Sequence, residues 1–106
     1  MRIFGLKNCD TCRKAAKVLT QAELVDIRAT PIDDELLSQA LKTFGDRLVN
    51  TRSTTWRGLN ETERSQDPLS LLMAHPALMK RPLIVDDAGH LYLGWDKTTQ
   101  AALGVG

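Results

Sequence analysis

The sequence predicts an α/β domain: a small mixed sheet flanked by helices, in the order β-α-β, a helical stretch, then β-β-α. Three observations carry this. A short apolar run, Ile3-Phe4-Gly5-Leu6, is followed at once by Arg13-Lys14-Ala15-Ala16-Lys17-Val18-Leu19, a run of good helix formers. An alternating segment, Glu23 to Arg28, then closes a β-α-β unit, for which a right-handed crossover is expected if the strands are parallel. Near the end, Leu83-Ile84-Val85 and Leu91-Tyr92-Leu93 flank the turn Asp87-Ala88-Gly89 and read as a hairpin.

Each element has its own signals. The first strand is expected over about Arg2 to Leu6 and the first helix over about Thr11 to Gln21. Thr30-Pro31-Ile32-Asp33-Asp34-Glu35 reads as the start of a second helix, with Pro31 at the first helical position and the acids in the first turn. Leu36, Leu37, Ala40, Leu41 and Phe44 make its apolar stripe, and Gly45 ends it. Leu48 to Gly58 is polar with weak periodicity. Asn60 followed by Glu63 has the form of a capping box. Pro68 to His75 reads as a short helix with Leu69, Leu72 and Met73 inward, ended by Pro76, and Asp96 caps a last helix containing Ala101, Ala102 and Leu103.

With 106 residues the chain is expected to be one domain, 1–106, with a helical insertion at about 33–76. A net charge of +1 gives no global field for nucleic acid. No apolar run has the length of a signal peptide core or a membrane span, so a cytoplasmic, reducing setting is expected, without membrane attachment.

Both cysteines lie in Lys7-Asn8-Cys9-Asp10-Thr11-Cys12-Arg13-Lys14, at the strand-to-helix junction. Helix-start amides lack intrahelical acceptors and carry partial positive charge, and Lys7, Arg13 and Lys14 add full charges. A thiolate is the species these favour. The first cysteine of such a pair typically ionises at about 3.5–7.5 instead of about 8.5. Cys9 is therefore expected to be the nucleophile, with Cys12 placed to resolve an adduct as a disulfide. Asp10 acts against the basic neighbours and pushes the Cys9 pKa upward. A zinc site would need two further ligands at short spacing, and only His75 and His90 are at hand, so no metal is expected. A static disulfide does not suit a reducing setting, and two idle buried thiols do not suit so polar a surrounding. Trp56 and Trp95 read as packing residues, and His75 as a helix-end residue rather than a base.

Asn8-Cys9-Asp10-Thr11-Cys12-Arg13-Lys14-Ala15, then Asn50-Thr51-Arg52-Ser53 with Trp56, then His75-Pro76 followed by Lys80-Arg81-Pro82, resemble the arsenate reductase (ArsC) family over nearly the whole chain. Thr51 to Trp56 with Leu59-Asn60-Glu61 is most similar to the small YffB-type members, and the cysteine pair to that of Spx-type regulators. The resemblance implies a thioredoxin-like fold. It places the nucleophile on Cys9, oxyanion-binding arginines on Arg52 and Arg81, and a cis Arg81–Pro82 peptide beside the cysteines, with Asn8, Asp10, Thr11 and Arg13 in support. It implies a thiol reductase acting on an oxyanion or a mixed disulfide, with a small thiol or oxyanion as partner and glutathione or a thioredoxin/glutaredoxin as electron donor; no bound cofactor and a monomer are expected. The alternative it implies is a redox-switched transcriptional regulator binding the RNA polymerase alpha subunit. Arsenate-reducing members carry a third arginine after the last strand and a histidine four residues ahead of the cysteine. Here those places hold Leu93-Gly94-Trp95-Asp96 and Gly5, which points away from arsenate as the physiological substrate.

Overall fold

A computed structural model describes residues 1–105 of the chain. The elements run β1 (Arg2–Gly5), α1 (Asp10–Val18), β2 (Glu23–Asp26), α2 (Asp34–Phe44), α3 (Thr54–Arg57), α4 (Glu61–Arg64), α5 (Pro68–Ala74), β3 (Leu83–Val85), β4 (Leu91–Leu93) and α6 (Lys97–Ala102). Short 3-10 turns follow α2 and α5, at Gly45–Leu48 and Pro76–Leu78. The chain divides into two compact units, one of residues 1–30 with those from Arg81 onward, the other of Pro31–Lys80. The second unit takes in residues 31–32 and 77–80 as well as the expected 33–76 stretch.

The first unit is built on a four-stranded sheet of order β2-β1-β3-β4. β1 pairs parallel with β2 and antiparallel with β3, and β3 with β4 antiparallel, so the sheet is mixed as expected. Register aligns Leu24, Ile3, Ile84 and Tyr92 in one row across all four strands. Because side chains alternate between faces, that row covers one side. Ala15 and Leu19 of α1 and its C-cap pack on it with Trp95 and Leu103, and Ile3, Ala15 and Ile84 are fully buried.

The first helix stops at Val18, not Gln21. Strand β2 begins at Glu23, whose amide donates to the Met1 carbonyl at 3.0 Å. The chain must turn back before that, and it does so through the Ala22 amide to the Leu19 carbonyl at 3.0 Å. The second strand likewise ends at Asp26, where the carboxylate accepts from the amide of Arg28.

In the second unit α2 starts at Asp34, so Pro31 is not its first residue. The acids set the start instead: Asp34 and Glu35 occupy the first turn, where the helix dipole favours negative charge. Gly45 ends the helix at φ 59°, as its position predicted. Leu37 and Ala40 are buried, while Leu36, Leu41 and Phe44 are half-buried. Helix α2 packs on α5, which buries Leu71 and Leu72. Met73, expected inward, is 55 % exposed, and Leu69 is half-buried. The capping box closes as expected, with Asn60 Oδ1 accepting from Glu63 N at 2.8 Å and Glu63 Oε1 from Asn60 N at 3.1 Å. Val49 bridges Met79, flanked by Asn50 N to Leu78 O and Lys80 N to Leu48 O, both at 2.7 Å. That pin ties residues 78–80 into this unit. Among the described residues no helix is long and apolar enough to cross a membrane.

Candidate active site

The site grows from the junction of β1 and α1. After Gly5 the chain leaves the sheet, and the Cys9 amide turns back to the Leu6 carbonyl at 3.1 Å. Cys9 is the N-cap of α1 in extended conformation (φ −90°, ψ 120°), and its carbonyl accepts the first helical bond from Arg13 N at 3.0 Å. Asp10, Thr11 and Cys12 are then the first three helical residues. An N-cap side chain faces the second and third helical amides. Here those belong to Thr11 and Cys12. No cap hydrogen bond closes on the neutral thiol, since sulfur is a weak acceptor, but the same amides favour a thiolate.

The two thiols are driven apart. Burial works against ionisation of Cys9, but it is outweighed by the Cys12 amide, the Cys12 thiol, the charge of Arg81 and the Thr11 amide, so its pKa falls below the ordinary thiol value. Cys12 is fully buried, and burial, together with its position as donor to Cys9 and the charge there, pushes its pKa up to about 11. Both thiols are free, Cys9 half-buried and Cys12 enclosed.

Arg81 and Pro82 stand before β3, joined by a cis peptide as the resemblance implied. Pro82 is fully buried, and its carbonyl accepts from the Gly94 amide at 2.9 Å, which fixes it against the end of β4. Arg81 is half-buried and close enough to Cys9 for its charge to favour the thiolate. Asn8, Asp10, Thr11 and Arg13 are exposed around the loop. Arg13 Nη2 donates to Asp10 Oδ1 at 3.1 Å and to the Asn8 carbonyl at 3.4 Å. Asp26, across on β2, accepts from the amides of Arg28 at 2.9 Å and Lys7 at 3.3 Å, and these donors hold its pKa below the usual carboxylate value.

Arg52 lies in the second unit and is exposed. Its amide donates to Asn50 Oδ1 at 3.1 Å, and the neighbouring Ser53 caps α3 by accepting from Trp56 N at 3.1 Å. The Asn50-Thr51-Arg52-Ser53 motif is thus a turn pinned by its own polar side chains. Trp56 is half-buried and lies under the Arg64 guanidinium, 5.2 Å from the ring centroid. Trp95 packs on the sheet core, and His75 ends α5 as its C-cap.

Gly5, which the motif resemblance marks only as lacking a histidine, lies against Cys12. Gly5 is buried, and a Cβ there would overlap the Cys12 sulfur. The available signal was a glycine inside a strand, which marks close approach.

A family profile described as "ArsC family" matches residues 4–103. The chain belongs to the ArsC family. Among its relatives, an uncharacterized protein of Haemophilus influenzae is 43 % identical, the match covering 94 % of this chain and 96 % of that one. The global transcriptional regulator Spx of Bacillus subtilis is 30 % identical, over 90 % of this chain and 79 % of its own. Among solved structures, a YffB protein superposes with a TM-score of 0.82 at 27 % identity, covering 95 % of this chain and 96 % of that one. An arsenate reductase (ArsC) related protein from Brucella melitensis does so with a TM-score of 0.70 at 34 % identity, over 95 % and 91 %. The fold is thus the thioredoxin-like fold of ArsC proteins, and the cysteine-bearing junction of this ArsC chain sits on a member's scaffold.

Proposed function

We propose that this ArsC-family chain is a thiol-dependent oxidoreductase of the cytoplasm in which Cys9 attacks and Cys12 resolves. The observation that carries the reading is the asymmetry of one helix start: Cys9 at the N-cap before the Thr11 and Cys12 amides, Cys12 buried behind it. With a disulfide substrate, the Cys9 thiolate forms a bond to one sulfur and the other leaves as a thiolate. Cys12 then loses its proton, bonds to Cys9 and expels the second thiolate, so two electrons pass to substrate and a Cys9–Cys12 disulfide remains. With arsenate, Cys9 displaces a hydroxide, which leaves as water, and attack of the deprotonated Cys12 on the Cys9 sulfur expels arsenite, which keeps the electron pair on arsenic. Glutathione, or a thioredoxin or glutaredoxin, returns two electrons to the pair.

A single-turnover screen of the reduced protein against arsenate, glutathione disulfide and small disulfides, following Cys9 by mass, tests this. Adducts on Cys9 that convert to the internal disulfide are expected. No adduct with any of them overturns the reading.

A second reading has its own support in the 30 % identity to Bacillus subtilis Spx. There the pair would be a redox switch on a regulator that binds RNA polymerase. Capture of the polymerase alpha subunit by the purified protein, altered by oxidation of the pair, would favour it. No capture in either redox state would leave the reductase reading alone.

A further inference from the structure

We propose that Gly5 is the positioning residue for the resolving thiol: its missing side chain is the space in which the Cys12 sulfur sits. The inference rests on the reductase reading only for calling Cys12 the resolving thiol.

A glycine inside a strand weakens it and needs a reason. Backbone freedom is not the reason: among the described residues the glycines with positive φ are Gly45, Gly89, Gly94 and Gly104, and Gly5 is not one of them. Nor is it a break in pairing, since Gly5 stays in parallel register with Asp26 and its carbonyl accepts from Ile27 N at 2.9 Å. What distinguishes the position is contact. A Cβ built on Gly5 would overlap the Cys12 Sγ and stand 3.2 Å from the Cys12 Cβ. The next amide along, that of Leu6, is turned to the same sulfur. The sulfur therefore occupies a notch in the last residues of β1, with its thiol directed to Cys9.

The notch cannot simply widen. One turn along α1, Ala15 is fully buried in the core cluster with Ile3, so the helix is fixed to the strand just beyond the contact. A side chain at residue 5 must push the sulfur aside. That changes both what Cys12 gives Cys9 in the reduced protein, a donated hydrogen bond, and the line along which Cys12 attacks it. Loss of alignment by about 1 Å at a reacting centre costs up to about a hundredfold in rate.

The test is a cycle of Gly5→Ala and Cys12→Ala, read on Cys9. First, the reduced proteins are alkylated with iodoacetamide across pH, which needs no substrate and so is independent of the proposed turnover. Gly5→Ala is expected to move the Cys9 midpoint to higher pH, Cys12→Ala likewise, and Gly5→Ala to add nothing in the Cys12→Ala background. Second, Cys9 is loaded with a chromogenic aromatic disulfide, and release of the second aromatic thiolate reports closure of Cys9–Cys12. Gly5→Ala is expected to slow that step by about tenfold to a hundredfold. A midpoint shift that persists in the Cys12→Ala background, or an unchanged closure rate in folded Gly5→Ala, overturns the proposal. If Gly5→Ala does not fold, the double variant decides. Folding with the melting temperature of Cys12→Ala shows that the sulfur is what the glycine accommodates. Failure of the double variant to fold overturns the proposal, because the glycine then serves the sheet.

Discussion

The Arg13 guanidinium closes over Asp10, with Nη2 3.1 Å from Oδ1, and reaches the Asn8 carbonyl at 3.4 Å. Asp10 directly follows Cys9, and its carboxylate is the one negative charge in the 7–14 segment. The pairing both steadies the loop and offsets that charge. Arg13→Ala is therefore expected to raise the Cys9 pKa, and Asp10→Asn to lower it. Both side chains are well exposed, at 60 % and 86 %, so each shift is expected to be small, in keeping with the ~0.2–1 kcal/mol of exposed pairs. Thiolate absorbance followed against pH in the two variants checks both signs. Shifts in one common direction would contradict the offsetting role.

The thiols should also differ in reactivity. With a pKa of about 11, Cys12 is ionised in about one molecule in ten thousand at pH 7, while the Cys9 pKa lies below the ordinary thiol value. Site-resolved mass spectrometry after brief iodoacetamide treatment is expected to find the label on Cys9 alone. Mild oxidation should join the two within one chain, and Cys12→Ser should trap mixed disulfides on Cys9. A first label on Cys12, or an oxidation product dominated by linked chains, would reverse the assignment of roles.

Much of this junction was legible because its signals are local. A cysteine pair between an apolar run and a run of helix formers can only sit at a helix start, and it does. Asn60 with Glu63, Gly45 and Asp96 are likewise local devices, and each acts where the residue type says it should. The misses come from tertiary demands. Helix α1 gives up Leu19 to Gln21 because β2 must pair with β1 from Glu23 onward. The short helix α3 at Thr54–Arg57 has no apolar periodicity, and only Ser53 as a cap marked it. In α5 the inward pair is Leu71 and Leu72 because α2 lies against it, whereas Leu69, Leu72 and Met73 would serve a helix facing a different neighbour. At position 5 the sequence shows only a glycine where arsenate-reducing members carry a histidine. The contact of Gly5 with Cys12 spans strand to helix, which spacing does not express.

The buried thiol should leave a mark on stability. The folded pKa of Cys12, about 11, lies above that of an unfolded thiol, about 9, because burial disfavours the charged form. Between these values the unfolded chain binds fewer protons than the folded one, so unfolding is favoured as pH rises. The Cys12 contribution is fully present below about pH 9 and is lost as pH climbs toward about 11, at no more than about 1.4 kcal/mol per pH unit. Cys9 acts in the opposite sense and in an earlier window. Its lowered folded pKa stabilises above the ordinary thiol value, and that contribution is lost as pH falls through the folded one. Tyr92 also titrates late, because Asp86 accepts from its hydroxyl, so the comparison must cancel it. Urea unfolding of reduced wild type and Cys12→Ala at pH 8, 9 and 10, about the thiol range, is expected to show wild type losing ground to the variant as pH rises. Parallel curves would mean that Cys12 ionises in the folded protein as freely as in the unfolded chain.

Charge beside Cys9 should act on its thiolate and on a bound anion in different ways. Arg81 is half-buried before cis Pro82, and its charge helps hold the Cys9 pKa down. Arg81→Ala should therefore raise the Cys9 pKa, and Arg81→Lys should keep most of that effect, because the charge remains. Anion binding should behave differently. A guanidinium presents a planar fork of donors and an ammonium does not, so Lys is expected to rescue the thiolate better than it rescues an oxyanion. Loss of a hydrogen bond to a charged group is worth about 1.5–3 kcal/mol, or roughly a tenfold to hundredfold weakening for Arg81→Ala. Arg52 is assigned to the anion by the motif resemblance alone, and on that assignment Arg52→Ala weakens anion binding as well. Titrating arsenate, phosphate and sulfate while following the amides of residues 8–13 by NMR measures binding, and thiolate absorbance measures the pKa. If Arg81→Ala leaves the Cys9 pKa in place, the arginine does not act on the thiolate, and the helix-start amides and Cys12 alone account for its acidity.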